Sequence, residues 1–370
     1  MGTYKVIIVA DVHRICCPEH GVVTEKNSWS FHGSRFTKKF EQQAAYLAVH
    51  QSKKLVCEQM RINWRTVGSI ISHIKKAKER GPEKKFRNLT AIGIDETSYR
   101  KGHTYLSTVV DHSTGEVIWA HNGFGKNILE EFFRMISNCS AESIQMVSGD
   151  GARWIKDTVY KFAPQACFCI DPYHVVSWAI EAMDLARRRI WREAYDMEKL
   201  LPKRNVGRPK KGEEPVAKES KVLKGARYPL GKNPENLTEK QAAALEEIRT
   251  VYPGLFRAYQ LKEGLRAIFH MEDGVETELN KWLSWACRCR IPEFVALSKK
   301  IRRHRESILN MMKYGLSNAR IEATNNKIKL VIRRSYGFGN VQNLIDMIML
   351  VCSNLGRTLR PAYAADEAFD

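Results

Sequence analysis

At about residue 88 the hydrophobic pattern of this 370-residue chain changes period. Before that point apolar residues recur at spacings of three and four, first through Ala44, Leu47, Ala48, Leu55, Val56 and Met60. After a break at Arg61-Ile62-Asn63-Trp64 the spacing resumes through Trp64, Val67, Ile70, Ile71 and Ile74. Both patterns predict amphipathic helices within residues 38–79. Beyond residue 88 the apolar residues form short β-branched blocks, at 90–95, 103–111 and 116–121, with a turn at 112–115. These predict three consecutive strands. A helix follows, with Asn127 as its cap, Glu130 at capping-box spacing and Leu129, Phe132, Phe133 and Ile136 on its apolar face. Strand 144–148, helix 152–162 and strand 166–170 complete the order βββαβαβ. A chain written this way folds as a mixed α/β sheet.

The flanks divide the chain further. Residues 1–35 hold Cys17-x-x-His20 before Gly21, the shape of one zinc knuckle. With no Cys-x-x-Cys upstream, this pair supplies two of the four ligands of a zinc ribbon. It reads either as an isolated pair near a turn or as half of a ribbon whose first half precedes Met1. Residues 36–80 read as a helix-turn-helix, with Arg61, Arg65, Lys75 and Lys76 as DNA contacts. Gly81-Pro82 makes a linker. Residues 175–312 are predicted all-helical except for 202–236, which is rich in Pro, Gly and Lys. It carries ten cations against four acids and reads as a flexible basic loop. Residues 313–356 return to the sheet domain, and 357–370 form a tail.

The chain carries a net charge of +19, which calls for a polyanionic partner. No apolar run is long enough to span a bilayer, so nucleic acid is the expected partner and a membrane is not. Nine cysteines in no repeating pattern suit reduced thiols in a cytoplasmic protein.

The chemistry is written in acids at strand ends. Asp95 closes the first predicted strand and Asp150 follows the fourth. In a βββαβαβ sheet these strands are central neighbours, so the two carboxylates converge at one edge. Convergent carboxylates need a cation between them, and Mg²⁺ binds through one or two carboxylates together with phosphate oxygens. A third carboxylate is expected from the helix over 317–334. There Asn318, Glu322, Asn325, Asn326, Lys329 and Arg333 share one face, while Ile321, Ile328 and Ile332 share another that packs on the sheet.

Several segments together resemble the ISL-three family of bacterial insertion-sequence transposases. They are Gly93-Ile-Asp95-Glu96-Thr-Ser-Tyr-Arg100-Lys101-Gly102-His103, Asp171-Pro-Tyr-His174, Leu261-Lys262-Glu263, Leu316-Ser-Asn318 with Glu322, Asn325-Asn326-Lys327-Ile328-Lys329, and Tyr336-Gly-Phe338. The resemblance runs in order from about residue 15 to 355. It implies a DDE transposase: an RNase H-like core interrupted by a helical insertion and preceded by a helix-turn-helix. It implies Asp95, Asp150 and Glu322 as the catalytic, metal-holding acids, with two Mg²⁺ or Mn²⁺ ions. It implies Asp171 and His174 as core-supporting residues, and Asn325, Asn326, Lys329 and Arg333 beside the DNA phosphates. It also implies a tryptophan of the insertion, among Trp178, Trp191, Trp282 and Trp285, stacking on a displaced base. The family's zinc ribbon is represented here by Cys17 and His20 alone. The implied partners are the terminal inverted repeats, target DNA and at least one more copy of the chain, on the bacterial nucleoid. Two other readings fit the same residues: a DNA-binding regulator that no longer cuts, and a nuclease that cuts without joining.

Overall fold

The computed structural model describes residues 6–25, 27–79, 81–137, 141–200, 219–316 and 319–361. Strands β1 (Arg14–Cys17) and β2 (Gly21–Thr24) form an antiparallel hairpin. Helices α1 (Lys38–His50), α2 (Lys53–Met60), α3 (Trp64–Lys78) and the short α4 (Pro82–Lys85) follow. Then come β3 (Ala91–Arg100), β4 (Thr104–Asp111), β5 (Glu116–Asn122), α5 (Lys126–Ile136), β6 (Met146–Gly149), α6 (Arg153–Phe162) and β7 (Cys167–Ile170). The long α7 (Pro172–Leu200) leads to α8 (Glu219–Gly225), α9 (Arg227–Gly231), α10 (Glu239–Val251), α11 (Pro253–Ile268), α12 (Val275–Arg288), α13 (Pro292–Arg303) and α14 (Arg305–Tyr314). Helices α15 (Ala319–Arg334) and α16 (Val341–Cys352) end the chain's regular structure.

The five-stranded sheet has the order β5-β4-β3-β6-β7. β4 and β5 pair antiparallel, whereas β3–β6 and β6–β7 are parallel. The mixed sheet and the order of its elements are those the period change predicts.

The chain divides into two compact units. One combines Met1–Arg87, Glu96–Phe124 and Ile321–Asp370; the other combines Asn88–Asp95 with Gly125–Arg320. In the first, α1–α3, α15 and α16 share a core with Leu106, Val110 and Val117 of the strands. Ile321 and Ile328 are buried in it and Ile332 packs against it, the face expected from their spacing. In the second, α7–α14 close around a core that includes Ile170, Val175, Leu261 and Phe294.

Local chemistry sets the element ends, and in four places it departs from the sequence reading. The amino-terminal pattern yields three helices, not two, because Ser52 caps a new helix by accepting from Leu55 N–H. Arg61 then turns the chain in the left-handed region (φ 53°), and the Asn63 side chain accepts from Thr66 N–H to start α3. Strand β3 does not end at Asp95 but runs on to Arg100. Asn127 is not the cap of α5: Gly125, at φ 104°, holds that place, and Glu130 instead pairs with Arg134 and Lys161 at 2.7 and 2.9 Å. Finally, the described part of the expected basic loop is helical, as α8, α9 and a 3-10 turn at Pro234–Asn236. Buried Leu223 and Leu230 hold it to the second unit's core. Residues 202–218 and Asn318 lie outside the described residues.

Candidate active site

Two carboxylates of the second unit are carried by neighbouring strands: Asp95 lies in β3 and Asp150 directly follows β6. In the parallel pair β3–β6, Ala91, Ile92 and Gly93 stand opposite Met146, Val147 and Ser148. Asp95 lies two residues beyond Gly93 within β3, and Asp150 two residues beyond Ser148, just past the end of β6. Neighbouring strands lie about 4.8 Å apart; Asp95 stays within β3, which runs on to Arg100, while Asp150 follows the end of β6. Both acids are half-buried.

The turn at Asp150 is fixed from two sides. Its Oδ1 accepts from Ala152 N–H at 2.8 Å, while Oδ2 takes no hydrogen bond among the described residues. A Cβ on Gly151 would lie 2.5 Å from the Trp178 ring and 2.9 Å from Ile170 Cδ1. Only glycine fits there, and Trp178 of α7 is packed against the turn that carries Asp150. Lys300 Nζ sits 3.6 Å from the centre of the Trp178 ring, and the His304 ring is 5.3 Å from the same indole. Burial pushes Lys300 below its ordinary value, with Asp150 and Glu181 opposing. Burial, then the cations Lys300, Lys156 and Arg303, hold His304 below the usual imidazole range. The acid turn is thus flanked by an aromatic wall and a cation.

The donor set suits a hard divalent cation. Asp95 and Asp150 offer only oxygen ligands, one oxygen of Asp150 has no other partner among the described residues, and room for two or more further oxygens is what Mg²⁺ requires. Among the described residues no three His, Cys, Asp or Glu side chains form a metal-holding group. Glu322 lies in the first unit, exposed in the first turn of α15. On the same helix Asn326, Lys329 and Arg333 are exposed. Asn325 is not wholly turned to solvent: its Oδ1 accepts from the Thr97 hydroxyl at 2.7 Å, which ties α15 to the second half of β3.

The remaining candidates fall as follows. Asp171 is buried; its Oδ1 accepts from Tyr173 N–H at 3.1 Å, capping α7, and Oδ2 is 3.9 Å from His174 Nε2. Arg61, Arg65 and Lys76 are exposed, whereas Lys75 is engaged with Glu79 at 2.5 Å. Cys17 Sγ and His20 Nδ1 are 3.4 Å apart across the hairpin turn. Of the four tryptophans, Trp282 is core, its N–H donating to Leu261 O at 2.8 Å. Trp191 stacks on Tyr195. Trp285 lines an open groove of about 750 Å³ with Arg257, Lys281 and Arg288. Trp178 is the one packed against the Asp150 turn. Sequence reasoning missed Lys300 and His304 as neighbours of Asp150; the run Lys299-Lys300-Ile301-Arg302-Arg303 was the only signal.

Comparison with known proteins bears on these features. A family model described as transposase matches residues 92–348. A second, described as the helix-turn-helix domain of transposase family ISL3, matches residues 25–74. The chain is 44% identical over 362 residues to the transposase for insertion sequence element IS1557 of Mycobacterium tuberculosis strain H37Rv, which spans 97% of this chain and 81% of that protein. The protein of the same name from strain CDC 1551 matches equally well. The transposase for insertion sequence element IS1001 of Bordetella parapertussis is 23% identical over 339 residues, 90% of this chain and 78% of that protein.

Proposed function

Since this chain belongs to the ISL3 family of transposases, we propose that it binds the terminal inverted repeats of an insertion sequence and catalyses DNA strand cleavage and strand transfer at Asp95, Asp150 and Glu322. The observation that supports the reading is the parallel register of β3 on β6, whose last paired residues, Gly93 and Ser148, each stand two residues before an acid. On this reading the five-stranded sheet is an RNase H-like core and α7–α14 are its helical insertion.

Asp95, Asp150 and Glu322 would hold two Mg²⁺ or Mn²⁺ ions. When bound, these ions activate the attacking oxygen and neutralise charge on the phosphate. The protein's own part is positioning. Ala152 N–H and the Trp178 wall fix the Asp150 carboxylate. Lys300 and, on α15, Lys329 and Arg333 supply positive charge for phosphate oxygens. In the first step a water oxygen attacks the phosphorus at the element end, the bond to the 3′ oxygen breaks, and that oxygen leaves as a free 3′-OH. In the second step this 3′-OH attacks a target phosphodiester in line and displaces the target's own 3′ oxygen. Helix α3, with Arg65 and Lys76 exposed, reads the repeat, and the +19 net charge adds salt-sensitive backbone affinity. Two ends must be held together, so the working form is a dimer or larger assembly on DNA in the bacterial cytoplasm.

The test is a joining assay with a labelled duplex carrying the inverted repeat that flanks the gene, a supercoiled target plasmid, and Mg²⁺ or Mn²⁺. Labelled plasmid is the expected product. Nicked repeat without joined product would identify a nuclease, and tight binding with neither product a silent regulator.

A further inference from the structure

A cavity of about 470 Å³ lies in the first unit. Three helices begin at its wall. Lys53 is the first residue of α2, Trp64 and Arg65 are the first two of α3, and Asn340 is the cap of α16. A helix start carries partial positive charge and outward-facing N–H groups. Three such starts at one cavity make a positive potential that favours an anion.

The side chains add to it. The Lys53 side chain is buried, at 1% exposure, and its ammonium lies 5.2 Å from the Trp64 ring centre and 5.1 Å from that of Phe338. Among the described residues it has no carboxylate, carbonyl or hydroxyl partner. Two ring faces offset part of the cost of burying a charge, but they accept none of its three N–H bonds in full. Burial accordingly pushes the Lys53 ammonium below its ordinary value, with Cys57 opposing. Arg65, exposed, brings a second cation to the same wall, and Ser69 and Asn343 bring a hydroxyl and an amide. Among the described residues lining the cavity none is acidic.

The walls are held in place. A Cβ on Gly68 would lie 2.6 Å from Asn343 Nδ2, so α3 and α16 approach closely there. Arg100 donates to Phe338 O, which anchors the corner containing Tyr336 (φ 52°) and Gly337 (φ 92°). The cavity is therefore built by the amino-terminal helices together with the turn after α15, and it joins the Tyr336-Gly-Phe338 segment to α3.

We propose that this cavity is a phosphate-ester site, in which Lys53 and Arg65 clamp one backbone phosphate of the bound DNA and so set the register of α3 on the duplex. The proposal rests on the DNA-binding reading above. A cavity of this volume has room for a phosphate with its attached sugar, and it falls within the range of small-ligand sites. Trp64, 39% exposed, offers the rim on which that sugar rests.

The full chain tests it with Lys53→Met and Arg65→Gln. Lys53→Met keeps the length of a buried side chain while removing its charge; Arg65 is exposed, so its replacement leaves the fold alone. Affinity for a duplex carrying the inverted repeat is measured between low and physiological salt. Each variant is expected to flatten the slope of log K against log salt, by up to about 0.9, the signature of one lost phosphate contact. In parallel, saturation-transfer NMR with thymidine 5′-monophosphate is expected to give a signal in the wild type that Lys53→Met abolishes. Slopes unchanged in both variants would overturn the proposal. If the wild type binds no duplex yet gives a nucleotide signal that needs Lys53, the site takes free nucleotide: the DNA reading fails, and with it the clamp. If neither probe is bound, the site itself is refuted.

Discussion

Lys262, in the Leu261-Lys262-Glu263 segment, has a buried ammonium that ties two helices together. It is 1% exposed. Its Nζ donates to Leu230 O at 2.8 Å and Lys232 O at 3.0 Å, and lies 2.6 Å from Glu263 Oε1. It therefore ties α11 to the end of α9. Replacing it by Met keeps the buried stem and removes these interactions. Two hydrogen bonds from a charged donor are worth about 1.5–3 kcal/mol each. The ammonium's own desolvation, of several kcal/mol, offsets part of that. Two carbonyls and one carboxylate oxygen are left unpaired, so the expected net loss is about 3 kcal/mol. At roughly 2–4 °C per kcal/mol for a unit of about this size, Lys262→Met lowers the melting temperature by about 6–12 °C. The control is Lys281→Met, whose ammonium pairs with Glu278 at 2.7 Å but whose side chain is 68% exposed; its expected effect is under about 1 kcal/mol. Calorimetry of both variants decides. Equal melting temperatures for Lys262→Met and wild type would show that the α9–α11 tie carries no stability, and the reasoning would be wrong.

Three further outcomes follow from the same geometry. Gly151→Ala, whose Cβ meets Trp178 at 2.5 Å, is expected to cut cleavage at least about tenfold while leaving repeat binding intact, since 1.4 kcal/mol of misplacement suffices for that; a fully active variant would mean the indole does not brace Asp150. Burial pushes the Cys169 thiol up to about 12, with Cys167 adding to it, and Cys352 up to about 11. Mass mapping after brief alkylation of the native protein is therefore expected to find label on exposed Cys16 and Cys287 and none on Cys169 or Cys352. Burial alone would raise Glu79, but hydrogen bonds from Lys75 and Lys85 outweigh it and lower its pKa below 4.5. Its contribution, about 1 kcal/mol, is present above that pH and lost as the pH falls through the lowered value, so the stability gap between wild type and Glu79→Gln should close in acid; a gap independent of pH would contradict the pairing.

The order of strands and helices was legible because period and turn chemistry are local signals. The parallel pairing of β3 with β6 was legible because a βββαβαβ order makes the first and fourth strands neighbours. What escaped is non-local. Residues 96–100 carry no apolar alternation, so the extension of β3 to Arg100 comes from its place in the sheet. The split between α1 and α2 was hidden because the apolar spacing runs across Gln51-Ser52, and only the Ser52 cap marks it. Helices α8 and α9 are only seven and five residues long, too short to stand alone, and are held by buried Leu223, Leu230 and the Lys262 tie. Lys53 reads as an ordinary surface lysine, since Trp64 and Phe338 reach it only through the packing of α3 against the turn before α16.

The most direct test of the central claim is the rate of metal-dependent cleavage at the repeat end by wild type and by Asp150→Asn. Asparagine keeps the Oδ1 acceptor for Ala152 N–H, so the turn survives while the ligand charge is lost. With repeat affinity and melting temperature unchanged, the account predicts a fall of about 10³-fold, equivalent to about 4 kcal/mol. A variant cleaving within tenfold of wild type would place the chemistry elsewhere.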